Sequence, residues 1–339
     1  MMRPPFAGAA RIPGKMSRRV RGCPFRALRC GGLPKIHALA NPPEPCRARA
    51  LTRAVPAGSM RHMNVLRDPI GRSIVDAAGL PLSMLEAGPA DGPVVVLIHG
   101  LGWDALSLWR GTIAALSEAG FRVLAPDMRG VGATPATEAA YSIDLYAADV
   151  VAALQTLGVT RLAFAGFSLG APVAAAAALR HGGASALVLA CGGLSSSPQA
   201  EAGTENMLAR VATLSAREFA MEQAEAIFHP AWAEAHPGAV AAFIERRTAM
   251  DQDALFRAFR SARGIDLRAS VAGLGVPVQV IAAAEDSFIT VEALRAIADG
   301  IPGARFAVLP DCGHMAPVER PDLFEPLLAE FLTAIGAPA

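Results

Sequence analysis

A continuous apolar run, residues 94–98 with the sequence VVVLI, constrains the fold of this chain more than any other feature. A strand with one face in water alternates apolar and polar residues, whereas an unbroken run of branched side chains is typical of a strand buried on both faces. Such strands lie in parallel sheets that carry helices on each side. Similar apolar segments recur at 121–126, 162–166, 186–190, 276–283 and 305–309.

Helical patterns separate these predicted strands. Residues 106–119 and 143–157 carry apolar side chains at helical spacing, and each pattern stops before a glycine, Gly120 or Gly158. Strands that alternate with helices predict an α/β fold with a mainly parallel sheet and helices on both faces. Further elements are predicted as a hairpin over 72–87 and helices over 169–180, 291–298 and 323–335.

The alternation stops between residues 194 and 266, where no strand is predicted. Helical patterns lie there at 205–214, 218–228, 240–250 and 254–263, and Ser215 with Glu218 forms a capping box. We therefore predict an α/β core of residues 62–193 and 267–339 and a helical cap of residues 194–266. The cap is expected to cover the carboxyl ends of the strands, where such sheets bind ligands.

The first 61 residues differ from the rest in charge. They hold 13 Lys or Arg and one acid, Glu44; subtracting these from the totals of 31 and 30 leaves 18 basic and 29 acidic residues, a net charge of −11. We predict that residues 1–61 are a disordered basic leader and favour a true start at Met60 or Met63. The acidic remainder argues against nucleic-acid binding.

The positions of the cysteines and the hydropathy of the sequence indicate the cellular environment of the protein. Beyond the leader the cysteines are Cys191 and Cys312, and no zinc-like spacing is present. We therefore expect no metal and no disulfide framework, and a reducing cytoplasm is the predicted location. No apolar run reaches the roughly 18 residues that a membrane span requires, so no membrane partner is expected. The sequence leaves the oligomeric state open.

The segment GFSLG, residues 166–170, lies between a predicted strand and a predicted helix. In this context a G-x-S-x-G motif places its serine on a tight turn with strained backbone angles, and the flanking glycines avoid steric collisions. The turn also puts the hydroxyl of Ser168 near a helix N-terminus, where N–H groups favour developing negative charge. We predict Ser168 as a nucleophile.

Two further residues follow predicted strands in the order that suits this motif. Asp286 comes after the strand at 276–283, and His314 comes after the strand at 305–309. The order Ser, Asp, His matches a nucleophile, an orienting acid and a general base on one edge of a parallel sheet. We predict His314 as the base and Asp286 as the acid, with Glu285 as the alternative acid.

Backbone N–H groups near the serine are the predicted donors to an oxyanion. One donor is Leu169, directly after the nucleophile, and the other is Leu101, whose neighbouring glycines let the backbone approach a substrate. His99 is predicted to hold this loop by hydrogen bonds. The residues predicted to line a substrate pocket are Gly100, Trp103, Trp109, Phe167 and Met315.

Taken together, the motifs resemble the α/β-hydrolase superfamily from about Ile74 to the C-terminus. The resemblance implies the α/β-hydrolase fold, with an eight-stranded, mainly parallel sheet and a helical cap. The spacing from His99 to Trp109 and the run YSIDL look like 3-oxoadipate enol-lactonases and related small carboxylesterases. The motifs are HGLG at 99–102, DMRGVG at 127–132, GFSLG at 166–170, ED at 285–286, GH at 313–314 and ERP at 319–321.

The resemblance implies a serine hydrolase that needs no cofactor and cleaves a small, moderately hydrophobic ester or lactone through an acyl-enzyme. The same triad serves C–C bond hydrolases of meta-cleavage products and cofactor-free perhydrolases, also called haloperoxidases, and the sequence does not separate these activities. A non-catalytic ligand-binding protein of the same fold is the alternative from another class. Serine at position 168 argues against the aspartate-nucleophile branches, the haloalkane dehalogenases and epoxide hydrolases.

Overall fold

The computed structural model describes residues 70–335, so the predicted leader lies outside the described residues. The strands are β1 Gly71–Ala77, β2 Leu80–Ala87, β3 Val94–Ile98, β4 Arg122–Pro126, β5 Leu162–Phe167, β6 Ala184–Ala190, β7 Val278–Ala283 and β8 Arg305–Leu309. They form one sheet in the order β1-β2-β4-β3-β5-β6-β7-β8. The pairs β1–β2 and β2–β4 are antiparallel, and the other neighbours are parallel. The predicted eight-stranded, mainly parallel sheet is confirmed.

Twelve helices are present among the described residues. They are α1 Ala105–Glu118, α2 Ile143–Thr156, α3 Gly170–His181, α4 Pro198–Val211, α5 Ala216–Ile227, α6 Pro230–Ala235, α7 Pro237–Thr248, α8 Gln252–Arg260, α9 Arg268–Ala272, α10 Val291–Asp299, α11 Ala316–Glu319 and α12 Pro321–Ala334. The helices α1 and α12 pack on one face of the sheet, and α2, α3 and α10 pack on the other.

The central strand β3 explains why its sequence is apolar without interruption. Val95 and Leu97 belong to the core shared with α1 and α12. Val96 and Ile98 belong to the core shared with α2, α3 and α10. Successive side chains of a strand point to opposite faces, so both sets must be apolar when helices cover both faces. Burying each of these side chains contributes roughly 1.5–3 kcal/mol.

Small side chains let α3 lie close to the sheet directly after Ser168. Ala171 and Ala174 are fully buried, as are most of the alanines that follow them. The helix ends at Gly182, which has a φ of +73° and thus adopts the left-handed conformation that glycine tolerates best. The close packing of α3 anchors the turn that carries the predicted nucleophile.

The segment between β6 and β7 contains α4 to α9, and its two ends are joined. Ser195 and Asp266 form an isolated antiparallel bridge, and the N–H of Leu267 donates to the carbonyl of Leu194 at 2.8 Å. The capping box of Ser215 is formed at the start of α5. Five of the six helices lie within residues 194–266, the predicted cap. That they form a separate domain stays a prediction.

Helix α4 begins seven residues earlier than the predicted start at 205. Ser197 is its N-cap and accepts a hydrogen bond from the N–H of Ala200, and Pro198 occupies the first turn. Both residue types favour helix starts, because serine pairs with a free backbone N–H and proline lacks one. The apolar spacing that predicted the helix begins only after about two polar turns.

The described residues were predicted to contain no membrane span, no metal site and no disulfide framework. No helix in residues 70–335 is long and apolar enough to cross a membrane. Within the same residues, no group of three or more His, Cys, Asp or Glu is placed to hold a metal ion. Cys191 and Cys312 are buried, free thiols.

Candidate active site

Ser168 occupies a strained turn between β5 and α3. Its φ is +52°, in the left-handed region that side chains rarely adopt, and such a conformation costs of the order of 1–3 kcal/mol. The turn is held by a hydrogen bond from the N–H of Ser168 to the carbonyl of Ala190, 2.8 Å long. A side chain at Gly166 would lie 2.0 Å from the carbonyl oxygen of Gly170. The glycine is therefore required by a close approach of backbone.

The three predicted catalytic side chains are linked by two contacts, both made by His314. His314 Nε2 lies 2.9 Å from Ser168 Oγ, and His314 Nδ1 lies 2.8 Å from Asp286 Oδ2. Ser168 and His314 are separated by 146 residues along the chain. The structure thus brings together the carboxyl ends of β5, β7 and β8.

Backbone groups fix the orientation of the Asp286 carboxylate. Its Oδ1 accepts hydrogen bonds from the N–H groups of Phe288 and Ile289, at 2.8 and 3.2 Å. The side chain of Asp286 is fully buried, so water does not compete for its oxygens. Oδ2 therefore faces Nδ1 of His314, which favours the tautomer that leaves Nε2 free to accept the proton of the serine hydroxyl.

Glu285, the alternative acid, has a different set of contacts. Its Oε2 accepts a hydrogen bond from the N–H of Cys312 at 2.8 Å, and its own N–H donates to the carbonyl of Cys312 at 3.0 Å. These bonds tie the loop after β7 to the loop after β8. Of the two neighbouring acids, Asp286 is the one that contacts His314.

The predicted oxyanion donors, Leu101 and Leu169, both line the same cavity as Ser168. Among the hydrogen bonds of the described residues, none uses the N–H of Leu101 or of Leu169. Gly100 allows the loop to approach the serine, since a side chain there would lie 3.1 Å from Ser168 Cβ. Two backbone donors without protein acceptors beside a hydroxyl can stabilise negative charge on a substrate oxygen.

His99 holds the loop that carries Leu101. Its Nε2 accepts a hydrogen bond from the N–H of Met128 at 2.9 Å, so Nδ1 carries the proton and donates to the carbonyl of Gly100 at 2.8 Å. Full burial lowers the pKa of the His99 imidazole below its usual value. The side chain is a neutral structural element, as the sequence predicted.

A pH-dependent loss of stability is expected from His99. Because its pKa is lowered in the folded state, the unfolded chain binds a proton more readily below about pH 6.5, and stability falls as the pH decreases. Relative to His99→Gln, the wild-type free energy of unfolding should fall by an extra amount of up to about 1.4 kcal/mol per pH unit in that range. Urea unfolding from pH 5 to 8 measures both curves, and parallel curves would contradict the prediction.

A cavity of about 340 Å³ is lined by Ser168 and His314. Its wall is mainly apolar and includes side chains from the α/β core and from the helices between β6 and β7. Three of the residues predicted for the pocket, Trp103, Phe167 and Met315, line it. Residues outside that predicted set also line it, namely Cys191, Gln223, Ile227, Phe243, Arg247, Phe259 and Phe288.

Two of the predicted pocket residues lie elsewhere. Trp109 is buried in α1 between Phe167 and Phe324, with ring centroids 6.4 and 6.1 Å away, and it does not line the cavity. A position inside α1 turns its side chain toward the sheet, whereas Trp103 precedes that helix at the sheet edge. Gly100 borders a smaller neighbouring cavity together with His99.

Glu319 supports the site structurally. This residue was named from the sequence only as part of the ERP motif, and no role was predicted for it. Its buried carboxylate accepts three backbone hydrogen bonds, from Gly313 at 2.9 Å, Met315 at 3.0 Å and His229 at 3.0 Å. Two of these donors flank His314, so the acid fixes the loop that carries the imidazole. The third donor lies between α5 and α6, which connects that loop to the inserted helices.

The sheet, the strained serine turn and the Ser–His–Asp contacts define a hydrolase-type site on a mainly parallel α/β fold. The sequence profile of the alpha/beta hydrolase family matches residues 95–327. The chain belongs to the alpha/beta hydrolase family, and the predicted family and fold are confirmed.

The proteins that this chain matches over nearly their full lengths include several named as hydrolases. RutD of Variovorax paradoxus (strain S110), which is named as a carbamate hydrolase, is 32% identical over 265 residues, covering 76% of this chain and 98% of its own. The enol-lactonase of Burkholderia xenovorans LB400 is 28% identical, with a TM-score of 0.70 over 78% of this chain and 100% of that one. A hydrolase from Pseudomonas aeruginosa PA01 is 31% identical, with a TM-score of 0.71 over 78% and 98%.

Proposed function

We propose that this protein is a serine hydrolase that cleaves a carboxylic ester or lactone of a small, moderately hydrophobic substrate through an acyl-enzyme. The observation that carries the proposal is the contact of His314 with both Ser168 Oγ, at 2.9 Å, and Asp286 Oδ2, at 2.8 Å, beside a cavity. A hydroxyl, an imidazole and a buried carboxylate in this order are the parts needed for nucleophilic acyl transfer.

In the first half of the reaction, Ser168 Oγ attacks the carbonyl carbon while His314 Nε2 takes the hydroxyl proton. Asp286 stabilises the resulting imidazolium. The oxyanion accepts hydrogen bonds from the N–H groups of Leu101 and Leu169. When the tetrahedral intermediate collapses, the bond to the alcohol oxygen breaks and His314 gives its proton to that oxygen. The acyl group remains bound to Ser168 as an acyl-serine.

In the second half, water attacks the acyl-serine. His314 accepts a proton from that water and returns it to Ser168 Oγ as the acid product leaves. The apolar wall of the cavity, which includes Trp103, Phe243 and Phe259, supports a moderately hydrophobic acyl or alcohol group. The similarity to an enol-lactonase supports the lactone alternative.

A carbamate is the second candidate substrate. The relative named as a carbamate hydrolase aligns over 98% of its own length. A carbamate carbonyl is attacked by the same nucleophile and uses the same oxyanion donors, so the described side chains suit either substrate. Rates for matched methyl esters, lactones and carbamates would rank the three classes directly.

Labelling with a fluorophosphonate tests the proposal. The reagent forms a covalent bond with an activated serine, so we expect stoichiometric labelling of the wild type and a mass increase on the peptide that contains Ser168. Ser195 lines the same cavity and provides a matched control. Labelling should persist in Ser195→Ala and disappear in Ser168→Ala; a folded wild-type protein that is not labelled would refute the serine mechanism.

A further inference from the structure

Arg247 is a buried cation in the wall of the cavity that contains Ser168. Its side chain, on α7, is 2% exposed, and it shares the buried face of that helix with Phe243 one turn away. A cation in this position is unusual, because arginine is almost never fully buried unless it is paired. Acceptors for its nitrogens are therefore expected nearby.

The guanidinium of Arg247 has few acceptors. Nε donates to Gln223 Oε1 at 2.5 Å, and Nη1 contacts only the weak acceptor Met250 Sδ, at 3.8 Å. Nη2 has no hydrogen-bond partner among the described residues. Two nitrogens of a planar cation are thus without an oxygen acceptor.

No acid in the described part of the chain pairs with Arg247. Its other close neighbours are the rings of Phe219 and Phe259, whose centroids lie 5.4 and 5.7 Å from Cζ. Burial without a counterion lowers the pKa of the guanidinium. The adjacent Arg246 differs, because it lies 3.9 Å from the carboxylate of Asp104. Burying an unpaired charge is costly, so a negatively charged group of a bound ligand would stabilise this guanidinium.

The surroundings of Arg247 suit a carboxylate. Oε1 of Gln223 accepts a hydrogen bond from Nε and so orients the guanidinium, and Gln223 lines the same cavity as Arg247. No hydrogen bond of the described residues uses the amide Nε2 of Gln223. A carboxylate can accept hydrogen bonds from both arms of a guanidinium fork and from a neighbouring amide. The apolar residues Leu101 and Ile265 line the cavity along with these donors, so they can enclose a short methylene chain.

We propose that Arg247, oriented by Gln223, binds a carboxylate of the substrate while Ser168 attacks an ester or lactone carbonyl of the same molecule. This inference rests on the proposed serine hydrolase function and narrows its substrate class. The substrates are half-esters of dicarboxylic acids, or lactones that carry a carboxylate. A neutral ester of equal size leaves the charge of Arg247 buried and unpaired.

Pairs of isosteric substrates test the selectivity. The monomethyl esters of the diacids from succinate to suberate are compared in a pH-stat with the methyl esters whose far carboxylate is replaced by a carboxamide. At the best chain length, the wild type should prefer the carboxylate in kcat/KM on the order of 10–100-fold, the range for hydrogen bonds to charged groups. The preference should fall to about 1 in Arg247→Met and to an intermediate value in Arg247→Lys, which lacks the fork.

Arg246→Met is the matched control, because it removes the neighbouring arginine, which does not line the cavity. It should keep the wild-type ratio between the two substrates. The inference is wrong if the wild type shows no preference at any chain length, if Arg247→Met keeps the preference, or if Arg246→Met loses it to the same extent.

Ligand binding separates this inference from the proposed function. Calorimetry with Ser168→Ala protein measures binding of the diacids and of their monoamides without turnover. Tighter binding of the diacid, lost in Ser168→Ala/Arg247→Met, supports the carboxylate site even if the wild type hydrolyses no ester. Hydrolysis of esters with equal binding of diacid and monoamide refutes the site and leaves the serine mechanism intact.

Thermal unfolding distinguishes recognition from packing. If Arg247 serves recognition, Arg247→Met should keep or raise the melting temperature of the ligand-free protein, because methionine preserves much of the side-chain packing and removes an unpaired buried charge. A marked decrease in melting temperature together with unchanged selectivity would assign Arg247 to structural packing and overturn the inference.

Discussion

Replacing Ser168 with alanine is expected to lower kcat for ester hydrolysis by a factor on the order of 10⁴–10⁶. The variant has no hydroxyl 2.9 Å from His314 Nε2, so no acyl-enzyme can form. The oxyanion donors and the cavity remain and account for the residual rate above that of water. Initial rates with a saturating ester, measured on purified variant and wild type, give the ratio directly.

The fold should survive this substitution, because the side chain removed is a single hydroxyl. Ser168→Ala should match the wild type in circular dichroism and unfold at a similar temperature. Ser168→Gly should unfold at a higher temperature than Ser168→Ala, since glycine adopts the φ of +52° at little steric cost. Ser195→Ala, in the wall of the same cavity, should keep most of the activity. Near-wild-type turnover by Ser168→Ala would end the nucleophile assignment.

Asp286→Asn is expected to lower kcat by a factor on the order of 10⁴, although the change replaces one oxygen with a nitrogen. The N–H groups of Phe288 and Ile289 donate to Oδ1 and will hold the amide oxygen there. The amide NH₂ then faces His314 Nδ1, which must act as an acceptor. The ring proton moves to Nε2, and the imidazole can no longer take the proton from Ser168.

Glu285→Gln is the matched control for the neighbouring acid. Its carboxylate accepts a hydrogen bond from the N–H of Cys312 and does not contact His314, so its loss should change kcat by less than about tenfold. Steady-state kinetics over a range of pH compare the two variants. Equal losses in Asp286→Asn and Glu285→Gln would mean that Asp286 acts through the loop structure and not through the imidazole.

Local sequence was sufficient to predict the elements and the turn. The unbroken apolar run at 94–98 predicted a strand buried on both faces, and β3 is such a strand. The G-x-S-x-G segment predicted a strained turn, because glycines two residues on either side of the serine leave room for a tight connection between a strand and a helix. These predictions depend on spacing over a few residues, so they do not require knowledge of the remote chain.

The edge of the sheet that carries the candidate site was also predictable, since the carboxyl ends of parallel strands lie on one side of the sheet. Ser168, Asp286 and His314 follow the carboxyl ends of β5, β7 and β8 as expected. The sequence predicted Asp286 as the acid, with the adjacent Glu285 as the alternative. In the folded protein, the N–H groups of Phe288 and Ile289 hold Oδ1 of Asp286, and its Oδ2 contacts His314.

The tertiary structure decided which of the candidate side chains reach the cavity. Trp103 and Trp109 are close in sequence, yet one lines the cavity and the other packs between α1 and the sheet. Arg247 has the spacing of an ordinary helix residue, and nothing local shows that it is buried without an acid. Its isolation depends on which residues α5, α7 and α8 place around it. Such contacts join distant segments, and hydrophobic periodicity carries no information about them.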